Sequence, residues 1–185
     1  MDGKIKVLGF AGSLRKDSLN KALLRAAAEV CPDNVILETF DIEGIPLYNQ
    51  DTEGSPVPKV VEFKNKIRGA DAILIATPEY NYSMPGVLKN AIDQASRPYG
   101  DNALAGKPVA VMGASIGTLG TARAQYRLRQ SFVFLDMHPL NHPEVMVPSA
   151  HERVDENGRL TDEKARALIR QLLDSLAAWA LKLKT

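Results

Sequence analysis

Besides Lys16, four side chains able to donate hydrogen bonds fall within eight residues in Gly12-Ser13-Leu14-Arg15-Lys16-Asp17-Ser18-Leu19-Asn20. Ser13, Ser18 and Asn20 offer neutral donors, and Arg15 offers a planar charged fork. The segment leaves an apolar run and enters a helical pattern, so free backbone N–H groups and the positive helix end point into it. Such a loop suits a phosphate monoester, which carries nearly two negative charges and three acceptor oxygens. Two common nucleotide loops do not match. A Walker A loop needs Gly-Lys-Ser/Thr, and Lys16 is followed by Asp17. The dinucleotide fingerprint needs three spaced glycines, which Gly9 and Gly12 do not supply.

A second unusual stretch is Thr77-Pro78-Glu79-Tyr80-Asn81-Tyr82-Ser83-Met84-Pro85-Gly86. Pro78 and Pro85 stiffen a loop that presents two tyrosines and an amide. Ser83 is placed to cap the following helix, with Pro85 in its first turn. Aromatic surface beside fixed backbone polar groups fits a flat heteroaromatic ligand; the same composition also fits an ordinary turn with cap residues. The third stretch, Ala114-Ser115-Ile116-Gly117-Thr118-Leu119-Gly120, is small and glycine-rich, so backbone N–H groups can approach a ligand closely.

Other chemistry finds no support. Pro139 and Pro143 keep His138 and His142 off a shared helical face, and no Cys or carboxylate spacing completes a site with His151, so no metal is expected. Cys31 follows the first helix, and position 37 is Leu, which excludes a phosphatase loop with Cys and Arg six residues apart. Asp71 stands at the wrong end of its strand for a response regulator. Trp179 reads as a packing residue.

The positioning elements are legible as an alternation. Strand candidates are Ile5–Ala11, Val35–Phe40, Asp71–Thr77, Pro108–Ala114 and Glu144–Val147. Between and after them lie helical patterns over about Leu19–Val30, Lys59–Arg68, Pro85–Ser96, Leu119–Phe134 and Thr161–Leu183. The mixed polarity of Val35–Phe40 suits a sheet edge, and Ala72–Ala76 a central strand covered on both faces. Five such units predict an α/β fold: a doubly wound, five-stranded parallel sheet with helices on both faces. Ligands of such sheets bind beyond the carboxyl ends of the strands where the winding reverses, which brings the three loops together.

Composition sets the outer limits. The 185 residues fit one domain, 1–185, and 23 Lys+Arg against 22 Asp+Glu leave a net charge of +1. That balance gives no long-range pull toward nucleic acid or an anionic membrane. A single cysteine closes no intrachain disulfide, no apolar stretch reaches membrane length, and no secretory pattern opens the chain; a soluble cytoplasmic protein is expected.

The loops resemble the flavodoxin-like NAD(P)H-dependent FMN reductase family, the group that includes bacterial quinone and chromate reductases. The resemblance runs over about Lys4–Val147 and rests on Gly12–Asn20, on Thr77–Asp93, and on Leu104–Pro108 through Thr121–Gln130. It implies FMN as cofactor, with NAD(P)H as co-substrate. Ser13, Arg15, Ser18 and Asn20 would hold the phosphate within a loop completed by Leu14, Lys16 and Leu19. Glu79, Tyr80, Asn81 and Tyr82 would line the isoalloxazine largely through backbone groups, with Pro78 shaping the turn. Ser115 and Gly117 would sit beside the pyrimidine end. Two departures stand out: Asp17 places a carboxylate where relatives often have a small residue, and Gln94 stands where they often have tryptophan.

The activity so implied is two-electron transfer, as hydride through flavin N5, from NAD(P)H to quinones or similar acceptors, with chromate, azo and nitro compounds as further acceptors. No side chain is required as acid or base. Backbone donors of the second and third loops would stabilise negative charge developing on the flavin's N1–C2=O edge. A non-enzymatic flavodoxin-type electron carrier would share fold and cofactor, but such carriers are usually strongly acidic, which +1 does not fit. A flavin-sensing or scaffold protein is a further alternative. Relatives form dimers and tetramers, so a homodimer or homotetramer is expected. Arg123, Arg127 and Arg129 on the Leu119–Phe134 helix, with Tyr126, would then meet Glu144 of another subunit.

Overall fold

Three short apolar runs form the centre of the sheet. β1 (Ile5–Ala11), β3 (Ala72–Ala76) and β4 (Pro108–Ala114) are buried almost throughout, and all five residues of β3 are buried. The computed structural model, which describes residues 3–184, provides the double cover that such burial demands. Side chains alternate along each strand. Val7, Leu74 and Met112 pack against α1 (Leu19–Glu29) and α5 (Glu163–Leu183). Leu8, Phe10, Ile73, Ile75 and Val111 pack on the other face, against α2 (Pro58–Gly69), α3 (Gly86–Ser96) and α4 (Ala122–Leu135). Among the described residues no helix is long and apolar enough to cross a membrane.

The strands are all parallel, in the order β2 (Val35–Phe40), β1, β3, β4 and β5 (His138–Pro139), the flavodoxin-like arrangement. β2 (Val35–Phe40) is the edge its mixed polarity predicts, with exposed residues among buried ones. The winding reverses beside β1, between β2 and β3, so a crevice opens above the carboxyl ends of β1, β3 and β4.

Two expectations are corrected. The fifth sheet position is shared by two pieces. β5 (His138–Pro139) pairs with the start of β4, and β6 (Val145–Val147) pairs with its end. Pro139 and Pro143 have no N–H for a ladder, so the edge is interrupted between them. The fourth helix begins at Ala122 rather than Leu119 because Gly120 and Thr121 are left-handed, at φ +53° and +74°. A Cβ on Gly120 would lie 2.6 Å from the Met146 carbonyl carbon, so this turn is packed directly on β6.

Candidate active site

The loop after β1 is shaped by its own hydroxyls. Ser18 is the N-cap of α1, its Oγ accepting from the amides of Asn20 at 3.2 Å and Lys21 at 3.3 Å. Ser13 Oγ accepts from the Arg15 amide at 3.3 Å. Both serines are buried, and each keeps its O–H free to donate. Asn20 is committed elsewhere: its Nδ2 donates to the Ala114 carbonyl and its Oδ1 accepts from the Ala114 amide, both at 3.0 Å. This carboxamide, expected to face a phosphate, braces the loop against the end of β4.

The loop after β3 is a two-residue hairpin. Tyr80 and Ser83 exchange backbone hydrogen bonds of 3.0 Å in both directions, and Asn81 and Tyr82 between them are left-handed at φ 50° and 64°. Ser83 therefore closes the hairpin and does not cap α3. Pro85 holds the N-cap position without a side-chain bond, outside the first turn where it was expected. Glu79, with its side chain 8% exposed, turns away from the hairpin toward α4. Arg123 Nε donates to its Oε1 at 2.6 Å, and the Ala124 amide donates to its Oε2 at 3.2 Å. The carboxylate thus neutralises Arg123 and supplies the N-terminal acceptor that Thr121 does not provide.

The loop after β4 lies over a tight crossing. A Cβ on Gly113 would fall 1.9 Å from Thr121 Oγ1 and 2.6 Å from the Thr77 carbonyl oxygen, so only glycine lets these segments meet. Ser115 and Gly117 are pinned from outside, since Ser115 N donates to the Val147 carbonyl and Ser149 N to the Gly117 carbonyl, both at 3.1 Å.

These three loops close around one cleft of about 230 Å³. Ser13, Arg15, Ser18, Leu19 and Asn20 line one end. Pro78, Glu79 and Tyr80 from the loop after β3 and Ser115 from the loop after β4 line the cleft as well. Leu14, Asn81, Tyr82 and Gly117 are exposed outside this lining. Lys16 and the exposed Asp17 line a separate cleft on the outer side of α1, so the Asp17 carboxylate does not enter the first one. Ala114 and Ile116 also line the cleft; Ile116, an exposed apolar side chain flanked by Ser115 and Gly117, was the signal available for the latter.

The donor set fits flavin mononucleotide. Two buried hydroxyls, Arg15 and the N-terminal residue of α1, Leu19, line the cleft together, while the Asn20 and Lys21 amides are taken by Ser18 Oγ. Tyr80 and Ile116 add exposed aromatic and apolar side chains to the lining, and the lining carboxylate, Glu79, is already paired.

The groups expected to bridge subunits have partners in their own chain. Arg123 pairs with Glu79. The Glu144 carboxylate beside Tyr126 holds its phenol above its ordinary pKa. Arg129 Nη2 donates to the Leu140 carbonyl at 2.9 Å.

Comparison with known proteins agrees with this geometry. The family model of NADPH-dependent FMN reductase matches residues 5–152. The chain is 56% identical to an NAD(P)H-dependent FMN reductase of Pseudomonas aeruginosa over the whole length of both. It is 46% identical to a 2-hydroxy-1,4-benzoquinone reductase of a Burkholderia species, covering 95% of this chain and 96% of that one. Among solved structures, the flavoenzyme NAD(P)H:(acceptor) oxidoreductase FerB of Paracoccus denitrificans superposes with a TM-score of 0.87 at 37% identity, covering 96% of this chain and 98% of that one. The chain belongs to the NADPH-dependent FMN reductase family and is an FMN-dependent NAD(P)H oxidoreductase.

Proposed function

We propose that the chain is one FMN-binding domain whose cleft serves NAD(P)H and a quinone-like acceptor in turn. The observation that carries this reading is the convergence of the β1, β3 and β4 loops on one cleft with donors at one end and an aromatic side. Bound FMN supplies the redox chemistry, accepting a hydride from NAD(P)H and returning two electrons to the acceptor. The protein binds and orients. Ser13, Arg15, Ser18 and the Leu19 amide at the start of α1 hold the phosphate, with Leu14 and Lys16 in the same loop. Asn20 fixes that loop to β4. Pro78, Glu79, Tyr80, Asn81 and Tyr82 shape the side of the ring, and Ser115 and Gly117 its pyrimidine end. Backbone N–H groups of the hairpin and the β4 loop other than those of Tyr80, Ser83 and Ser115, which are bonded within the chain, would supply positive dipoles there.

The benzoquinone activity named for the Burkholderia relative supports quinones as the acceptor class. Azo and nitro acceptors take electrons in pairs, an azo bond needing two successive deliveries for cleavage, whereas chromate takes three electrons to reach Cr(III) and so needs more than one turnover. With NAD(P)H and a benzoquinone varied together, initial-rate plots give parallel lines, because one open cleft serves both. Intersecting lines without substrate inhibition refute shared occupancy, and a folded protein that binds no FMN in calorimetry refutes the cofactor. Turnover of NAD(P)H with added quinone separates this reading from an electron carrier.

Assembly is part of the proposal. On α4, Tyr126, Val133 and Phe134 are 51%, 85% and 78% exposed, an apolar outer stripe on a helix whose other face is core. A second copy covering it gives a homodimer, and pairing of dimers a homotetramer, soluble in the cytoplasm.

A further inference from the structure

Among the residues that line the cleft, Arg15 and Glu79 carry charge. Arg15 suits an anionic ligand. A bare carboxylate does not, because the cofactor brings a phosphate and its ring gains negative charge on reduction. Glu79 is nonetheless part of the lining, with its side chain 8% exposed. Capping of α4 explains only half of its contacts. Its Oε2 accepts from the Ala124 amide at 3.2 Å, a task that a short neutral acceptor performs at most helix N-termini. Its Oε1 accepts from Arg123 Nε at 2.6 Å. Arg123 stands in the first turn of α4, where the helix dipole disfavours a cation, so helix stability does not select it. Nor does a buried ion pair usually stabilise a fold more than apolar packing in its place. The pair is held rigidly all the same: the Arg123 guanidinium contacts the Glu79 carboxylate and also lies 3.6 Å from the centroid of the Tyr82 ring.

We propose that Arg123 is a positioning residue of the flavin cleft, and that its pairing with Glu79 sets the reduction potential of the flavin by keeping the lining carboxylate neutralised. This rests on the cleft holding FMN. Hydride from NAD(P)H brings two electrons and one proton to the ring, which leaves the reduced ring with one more negative charge than the oxidised one. An unpaired Glu79 carboxylate beside the ring opposes that charge, and an Arg123 without its partner favours it; burial of Glu79 keeps water from screening the difference. Paired, the two charges hold the potential between the extremes that either would impose alone. Arg123 itself is absent from the lining, so it acts through Glu79 and not by touching the cofactor.

The test measures the two-electron midpoint potential of the FMN-loaded enzyme by dye equilibration at about pH 8, well above the ordinary carboxylate range. Melting temperature is recorded alongside. The variants are Glu79→Gln, Arg123→Gln, the two combined, and Arg123→Lys. Glu79→Gln raises the potential and Arg123→Gln lowers it. Each shift corresponds to about a tenfold change in the preference for reduced over oxidised FMN, or ~30 mV for a two-electron couple. The combined variant has no charge at either position and returns to near the wild-type potential. Arg123→Lys keeps the charge but loses the planar fork, so its melting temperature falls while its potential stays. If Arg123→Gln does not fold, a raised potential in Glu79→Gln with an unchanged one in Arg123→Lys carries the proposal. Single variants that move the potential in the same direction, or not at all, overturn it. So does a combined variant that departs from wild type as far as either single one, because the shift then follows lost packing and not charge. A wild type without the absorption spectrum of bound flavin instead overturns the cofactor assignment beneath it.

Discussion

The Asn20 carboxamide and the Ala114 backbone, 94 residues apart in the chain, hydrogen-bond to each other twice at 3.0 Å. Asn20 sits in the first turn of α1 and is 2% exposed, while Ala114 ends β4. The pair fixes the distance between the loop after β1 and the loop after β4, both of which line the cleft. Asn20→Ala leaves a buried N–H and a buried C=O without partners and costs about 2–4 kcal/mol. Urea unfolding checks this. Because the brace sets the whole cleft, FMN and riboflavin affinities fall together. A loss below about 0.5 kcal/mol means the brace carries no tension in the native state.

Arg15 predicts the opposite pattern. It is exposed, lines the cleft, and bonds through its backbone only to Ser13. Removing a charge-assisted phosphate contact with Arg15→Ala costs about 1.5–3 kcal/mol, roughly ten- to a hundredfold in FMN affinity. Riboflavin, without the phosphate, binds the variant as it binds the wild type. Equal weakening of both ligands, measured by fluorescence titration, reassigns Arg15 to the loop's structure.

Much of this was readable in residue types and order. The continuous apolar runs of β1, β3 and β4 announce buried parallel strands, and the donors of Gly12–Asn20 mark a loop that does line the cleft. What stayed hidden depends on partners distant in sequence. Asn20 reads as a phosphate donor because its type is visible and Ala114 is not. Glu79 reads as a ring-side residue because Arg123, 44 residues on, cannot be paired with it beforehand. Leu119 fits the helical period of α4, but the packing of Gly120 on β6 delays the helix to Ala122. β5 has two residues, one of them proline, too few to show a period.

Asp162 gives the fold a stated response to acid. It is the N-cap of α5, with Oδ1 accepting from the Ala165 amide at 3.0 Å and Oδ2 beside Arg153. The Ala165 amide first, and then Arg153, hold its carboxyl below the usual value. A depressed pKa in the folded chain means the stabilisation is complete above the unfolded value near 4 and is lost as pH falls through the folded one. Asp162→Ala therefore costs about 1 kcal/mol at pH 7, or about 2–4 °C in melting temperature. The gap from wild type closes as pH drops below about 4. A gap that stays constant to pH 2 removes the charged cap from the account.

The outer face of α4 decides assembly. Val133 and Phe134 are more exposed than any polar neighbour needs them to be, and the groups once expected to bridge subunits, Arg123 and Glu144, are engaged within the chain. A self-complementary interface uses each residue twice about its two-fold axis. Burial of a Val or Phe side chain is worth about 1.5–3 kcal/mol, so the two positions, each counted twice, dominate a dimer of ordinary size. Val133→Glu with Phe134→Glu removes that burial and sets like charges together. Light scattering at micromolar concentration should find an oligomer in the wild type and a smaller species in the double variant, with FMN binding retained because neither residue lines the cleft. A monomeric wild type ends the assembly proposal, and an unchanged variant mass moves the contact off α4.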